Sequence, residues 1–358
     1  MTGSAGERKK DMKKQIAILL LAALLLSLWG CAAQQPQPTA APTETTAAPT
    51  ETTAAPTETT PAPVPLRVGV MTGPTGIGMV KLMEDAAAED TGVTFAVKGA
   101  ADEMTPLLLQ EELDIAAVPA NLASVLYNKT QGGVQALAVN VLGVLSIGAY
   151  NMDAPQSFAD LKGKTLYATG KGSVPEYFLR YLLTENGVDP DADVEILWKS
   201  EPAEVVALLN AEGKGLAMLP QPYVTAAGMQ LGEGFRIALS LSDAWQALDN
   251  GSLCTTACIL VRSAYAEEHP ERVDAFLSDY AASAKWVNEN VAEAAELCGK
   301  YEIVKAGVAK KAIPECNIVC ITGAEMKAAL GGCLAVLHGQ NPATVGGALP
   351  GDDFYYGA

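Results

Sequence analysis

The chain has 358 residues, of which 49% are hydrophobic, and it sets 24 Lys and Arg against 41 Asp and Glu for a formal charge of −17. An acid excess of this size argues against nucleic acid and anionic lipid surfaces as partners, because both repel a negative protein. It favours solubility and leaves the charge of a small ligand open, since a cleft's field depends on local groups.

At the N-terminus Arg8, Lys9, Lys10, Lys13 and Lys14 precede an almost unbroken apolar stretch from Ile16 to Trp29. This is the pattern of an export signal, and Met12, which keeps Lys13 and Lys14 ahead of the apolar stretch, is an alternative start to Met1. Fourteen residues fall short of the ~20 that a bilayer span takes. Leu28-Trp29-Gly30-Cys31 closes the stretch and resembles a bacterial lipobox, where a small residue precedes a cysteine that is lipidated and becomes the mature N-terminus. Residues 1–31 are therefore expected to be a lipoprotein signal peptide, with Cys31 as the lipid anchor to the cell membrane and the body extracytoplasmic. An uncleaved signal anchor is the alternative. Beyond residue 31 there remain nineteen basic and thirty-nine acidic residues, a formal charge of −20.

Residues 39–59 contain TAAPTET three times in succession. Each unit carries a proline and no large apolar residue, so the period is not a coiled coil and no core can form. Residues 32–65 are expected to be a disordered Thr/Pro/Ala-rich tether, reaching about 100 Å if extended at ~3.1 Å per residue.

From Leu66 apolar strands alternate with amphipathic helices, the arrangement that gives mainly parallel sheets covered by helices on both faces. Strands are predicted at Leu66–Met71, Val93–Lys98, Leu113–Pro119, Val134–Val139 and Val144–Tyr150, with helices at Gly78–Ala88 and Thr105–Glu111. Asn140 and Gly143 mark a place where the chain can cross between lobes. The pattern then restarts: strand Thr165–Thr169, helix Pro175–Thr184, strand Val194–Trp198, helix Ala203–Ala211 and strand Leu216–Leu219. The C-terminal third is richer in helix, and Val273, Phe276, Leu277, Tyr280 and Val287 after Pro270 read as a core stripe.

After lipidation six cysteines remain: Cys254, Cys258, Cys298, Cys316, Cys320 and Cys333. Six allow 15 disulfide pairings, and sequence does not choose among them. Both CxxxC pairs lie in apolar strand-like runs, their spacing is not that of common zinc modules, and neither His269 nor His338 is near them. Buried free thiols are the expectation, with no metal and no cofactor.

Open parallel sheets bind ligands beyond the carboxyl ends of their strands. Four strand-to-helix turns are chemically distinctive there: Thr72-Gly73-Pro74-Thr75-Gly76, Pro119-Ala120-Asn121, Gly170-Lys171-Gly172-Ser173-Val174-Pro175 and Pro220-Gln221-Pro222-Tyr223. Helix N-termini offer unpaired N–H groups that suit anionic or neutral polar ligands. Gly170–Ser173 lacks the Walker spacing and its Lys-Ser/Thr ending, which argues against nucleotide hydrolysis. Any one of these turns alone is ordinary βα punctuation; four across two repeating units point to a shared cleft.

The runs LRVGVMTGPTGIGMVKLME (66–84), LDIAAVPANLASVLYNK (113–129), LKGKTLYATGKGSVPEYFLRYLL (161–183) and MLPQPYVTAA (218–227), with the tail NPATVGGALPGDDFYY (341–356), resemble the nitrate/sulfonate/thiamine-precursor-type binding proteins of ABC importers. The resemblance implies an α/β type II periplasmic binding protein fold, two α/β lobes with a ligand cleft between them: lobe one from 66–143 and 239–358, lobe two from 144–238. It implies a solute-binding lipoprotein that captures a small organic molecule, weakly anionic or heteroaromatic, and delivers it as a monomer to an ABC permease and its ATPase. Binding positions carried over are Thr72, Gly73, Pro74, Thr75, Asn121, Gly172, Ser173 and Tyr223. No arginine lies in the four turns, and Lys171 is their one cation.

The same fold serves enzymes of thiamine-pyrimidine and menaquinone pathways and the ligand-sensing subunits of receptors. General acid–base chemistry needs a titratable group that reaches the substrate, and neither histidine lies in a cleft turn, so no catalytic residue is expected. Glu176, one turn into its helix, is read as a solvated or capping carboxylate.

Overall fold

The computed structural model describes residues 63–89 and 91–358, so the expected signal peptide, Cys31 and nearly all of the expected tether lie outside the described residues. The first unit runs β1 (Leu66–Met71), α1 (Pro74–Ile77), α2 (Val80–Ala88), β2 (Val93–Lys98), α3 (Ala101–Leu109), β3 (Ile115–Pro119), α4 (Ala120–Thr130) and β4 (Val134–Leu142). Apolar residues bury both faces of its central strands, as a parallel sheet between helix layers requires. In β1, Gly69 lies so close to Met104 on α3 that a Cβ there would sit 2.2 Å from the sulfur.

The chain then crosses at Gly143 and repeats the pattern. The second unit is β5 (Leu145–Tyr150), β6 (Thr165–Thr169), α5 (Val174–Glu185), β7 (Glu195–Lys199), α6 (Pro202–Glu212), β8 (Gly215–Pro220), α7 (Tyr223–Leu231), β9 (Phe235–Ser240) and α8 (Leu241–Ala247). Helix α8 still packs on this sheet, with Trp245 against Phe178 of α5, and the path back to the first sheet runs through 248–254. It re-enters as β10 (Thr255–Arg262), followed by α9 (Ser263–Glu268), α10 (Pro270–Glu289), α11 (Val291–Lys300), α12 (Ala306–Ala312), β11 (Ile318–Ile321) and α13 (Gly323–Gln340).

The two sheets have the orders β11-β4-β10-β3-β1-β2 and β7-β6-β8-β5-β9. In each, three strands run parallel, and a strand entering from the crossing lies antiparallel beside the third: β10 beside β3, and β5 beside β8. This exchange of strands at the crossing is the type II periplasmic-binding architecture.

Two elements depart from the sequence-based expectation for local reasons. The helix expected from Gly78 starts at Pro74, breaks at Gly78-Met79 and resumes at Val80. Gly78 lies against Tyr280 and Ile318, where a Cβ would come within 2.9 Å of each, so the chain steps aside there. The helix expected at 105–111 occupies Ala101–Leu109, with acidic Asp102 and Glu103 in its first turn and Glu111 at φ +60° beyond its end. The stripe on α10 is core: Val273, Phe276, Tyr280 and Val287 are all buried, while Leu277 lies at its margin. All six described cysteines are free, and burial pushes their thiols up, to about 12 for Cys316 and Cys333.

One buried charge ties the first sheet together. Asp114, just before β3, accepts from the Arg67 backbone N–H at 2.9 Å and from its guanidinium at 2.6 and 2.9 Å, and Arg262 at the end of β10 donates at 2.9 Å. Burial pushes the carboxyl up, yet these hydrogen bonds outweigh it and hold the pKa below the ordinary value. A carboxyl with a depressed folded pKa adds stability that is fully present above the unfolded value of ~3.9 and is lost as pH falls through the folded one. Removing one partner of a buried pair is costly, but Arg67 is 43% exposed and water screens part of the loss. Asp114→Asn is expected to cost about 2 kcal/mol at neutral pH. In urea titrations the gap between wild type and variant should narrow as pH is lowered from about 5 to about 3.

Candidate functional site

The four turns follow the carboxyl ends of β1, β3, β6 and β8, and most of their polar groups are used locally. After β1, Gly73 takes φ +92°, and its carbonyl accepts the N–H groups of Gly76 and Ile77 at 3.1 and 3.0 Å. Pro74 opens α1 at the position where a missing N–H costs nothing. Thr75 is buried and donates back to the Met71 carbonyl at 3.1 Å, so its hydroxyl fastens the turn to the strand.

After β3, Pro119 caps α4 and Asn121 lies inside the helix. The Asn121 amide donates to the Thr344 carbonyl at 3.3 Å, while its oxygen is buried without a partner. After β6, Gly170 and Gly172 take φ +84° and +78°, and Ser173 occupies the N-cap. The Ser173 hydroxyl donates to the Gly170 carbonyl at 2.9 Å, and the Gly172 N–H donates to the Glu176 carboxylate at 2.7 Å. Glu176 is thus a capping carboxylate, and it is buried rather than solvated. After β8, a cis Gln221-Pro222 peptide turns the chain into α7 and leaves Tyr223 at its start, 38% exposed.

A cleft of about 750 Å³ lies between the lobes. Thr72 and Gly73 form one wall; Pro222, Tyr223, Ala226, Met229 and Gln230 form the second; and Glu302, Ile303, Val304, Lys305 and Val308 close it from the turn between α11 and α12. Three of the eight expected binding residues therefore line it: Thr72, Gly73 and Tyr223. Pro74, Thr75, Asn121, Gly172 and Ser173 are not among its lining residues. The 302–308 segment carries no motif, being an acidic residue, a basic one and scattered aliphatics more than seventy residues beyond Tyr223, and the reading of the turns missed it. Period could have flagged Ile303 and Val304 as apolar residues between helices, but nothing local says which cavity they wall.

The cleft is chiefly apolar, with Glu302 and Lys305 as its charged residues and no arginine or histidine in its lining. Such a surface suits the body of a small organic molecule, with a few polar groups to orient it. Among the described residues no cluster of His, Cys, Asp and Glu has metal-site geometry, and no helix is long and apolar enough to cross a membrane.

Fold and cleft together define a two-lobed protein of the type II periplasmic-binding class. A family model described as NMT1-like family matches residues 61–300, and the chain belongs to that family. Comparison with curated protein sequences finds no match. Among solved structures, the chain is similar to an ABC transporter protein from Parabacteroides distasonis, with 23% identity and a TM-score of 0.68 over 81% of this chain and 98% of that one. It is also similar to the periplasmic aliphatic sulphonate binding protein SsuA from Escherichia coli, with 19% identity and a TM-score of 0.64 over 78% and 88%. The periplasmic nitrate-binding protein NrtA from Synechocystis PCC 6803 is matched at 17% identity and a TM-score of 0.51 over 69% of each chain. At these identities the likeness establishes the fold.

Residues that wall the cleft and residues that hold its turns should separate in stability measurements. Thr75→Val removes a buried hydrogen bond and is expected to cost about 1 kcal/mol. Tyr223→Ala removes a half-exposed ring and should stay within about 0.5 kcal/mol of wild type without ligand. Denaturant unfolding of the two variants checks the contrast.

Proposed function

We propose that the protein is the extracytoplasmic solute-binding component of an ABC importer, which captures a small organic molecule between its lobes and passes it unchanged to a membrane permease driven by an ATPase. The observation that carries this reading is a cleft walled by three separate stretches of chain from both lobes, with the apolar side chains of Tyr223 and Met229 exposed at 38% and 45%. Exposed apolar groups in a concave site gain free energy when a ligand covers them, at about 25 cal/mol per Å². A ligand that touches both lobes favours the closed arrangement, because only that arrangement makes both sets of contacts. The solved neighbours that bind sulphonate and nitrate in the periplasm support the same reading.

In this proposal Thr72, Gly73 and Tyr223 contact the solute directly. Thr75, Gly172 and Ser173 shape the turns, and Pro74 sets the start of α1. A lipid on Cys31 holds the protein to the membrane through the tether, and one chain carries one solute.

A thermal-shift screen of the full chain in mild detergent, against vitamins, amino acids, sulfonates and nucleobase-like compounds, tests the reading. Binding the native state alone at a hundred times Kd adds about 2.7 kcal/mol of stability. A solute that protects the protein should be recovered chemically intact by mass spectrometry, and Tyr223→Ala should weaken it about tenfold or more, ~1.4 kcal/mol. Turnover of the solute at catalytic protein concentration would mean an enzyme instead. For the anchor, Cys31→Ser is expected to release the protein from the membrane or to block its processing. A variant that stays membrane-bound and uncleaved like wild type would mean a signal anchor.

A further inference from the structure

The turn between α11 and α12 carries all the charge in the lining of the cleft, and its hydrogen bonds fix where that charge stands. Glu302 takes φ +56°, a region that residues other than glycine seldom adopt, and the chain doubles back there. The Glu302 N–H donates to the Gly299 carbonyl at 3.3 Å, and the N–H groups of Ile303 and Val304 both donate to the Cys298 carbonyl, at 2.9 and 3.4 Å. Ile303, only 4% exposed, holds this turn against the first strand-to-helix turn of the lobe: a Cβ on Gly76 would lie 2.9 Å from its side chain. The Lys305 carbonyl then accepts the N–H groups of Val308 and Ala309 at 2.9 Å each, which starts α12, and α12 packs on α7 of the second lobe.

Glu302 and Lys305 thus flank a buried anchor, and both side chains are exposed in the wall of the cleft. The preceding cation, Lys300, is taken by Glu84, to which the Tyr301 hydroxyl also donates, at 2.7 Å. Among the described residues neither Glu302 nor Lys305 has a side-chain hydrogen bond or an ion pair, and they are not paired with each other. Across the cleft, Tyr223, Ala226 and Met229 offer apolar surface and no charge.

One wall therefore presents an unspent carboxylate and an unspent ammonium, and the other a surface to cover. A solute with a single charge meets one attraction and one repulsion on the first wall. A solute that carries both charges on an apolar body meets two attractions. In open water each pair would gain little, but a ligand held between the lobes displaces water from the wall, and each attraction strengthens as the local dielectric falls.

We infer that the cleft selects a zwitterionic solute, a small organic molecule with an anionic group for Lys305 and a protonated amine for Glu302, and that these two residues determine its specificity. The inference rests on the solute-binding reading and narrows it: the bound molecule carries both signs of charge, against the weakly anionic or heteroaromatic one expected from sequence.

Three probes with the same five-carbon chain test it: 5-aminopentanoate, pentanoate and pentylammonium, titrated at pH 7 by ligand-observed NMR into the full chain in mild detergent. Wild type is expected to bind 5-aminopentanoate at least fivefold more tightly than either singly charged probe. Lys305→Gln should weaken 5-aminopentanoate at least fivefold and raise pentylammonium to match it, while Glu302→Gln should weaken it likewise and raise pentanoate to match it. Exchanging the charges, with Glu302→Lys and Lys305→Glu together, should restore the preference for 5-aminopentanoate. Both residues are exposed, so all three variants should melt close to wild type without ligand. The inference is overturned if a singly charged probe matches 5-aminopentanoate on wild type, if the order of the three probes is unchanged in both single variants, or if none of them binds wild type. Should the broader screen yield a singly charged or uncharged solute that Tyr223→Ala weakens, the importer reading stands and this one fails.

Discussion

Eight residues, Thr255–Arg262, reach the middle of the first sheet only after the chain has built the whole of the second. Strand β10 fills the space between β3 and β4 and pairs antiparallel with both, so neither of those strands is left with an unpaired edge at the centre of the sheet. Its far end delivers Arg262 to Asp114, which Arg67 also holds, and β1, β3 and β10 are locked in register by one buried carboxylate. The first lobe therefore cannot close its core without the return crossing. The two crossings also pack on each other: a Cβ on Gly143 would lie 2.7 Å from Ser242 and 2.9 Å from Cys254.

The same economy governs the turns. A polar residue placed at the start of a helix competes for the local N–H and C=O groups before any ligand arrives. Thr75 bonds to Met71, Ser173 to Gly170, Glu176 to Gly172 and Gln221 to Thr225. What the cleft near Tyr223 presents is consequently the apolar remainder, with Lys305 and Glu302 as its charges. Affinity in such a cleft comes mainly from covering apolar surface, and selectivity from the few polar atoms left without partners.

The alternation of buried strands and amphipathic helices from Leu66 to Leu219 was legible in the amino-acid sequence because burial on both faces leaves a continuous apolar run, and helix caps leave their own punctuation. The α10 stripe was legible for the same reason, since its spacing directly encodes one face of a helix. The position of the four turns followed from the strand ends, and with it the place of Thr72, Gly73 and Tyr223 near a cleft. Sequence alone could not say how the side chains of those turns are employed, because hydrogen bonding between Ser173 and Gly170, or between Glu176 and Gly172, depends on backbone dihedrals that many sequences share. Nor could it bring Ile303, Val304 and Lys305 to Tyr223, or Thr344 to Asn121. Those meetings span 80 to more than 220 residues and are decided by strand order and helix packing, which exist only once the chain has crossed between the lobes twice.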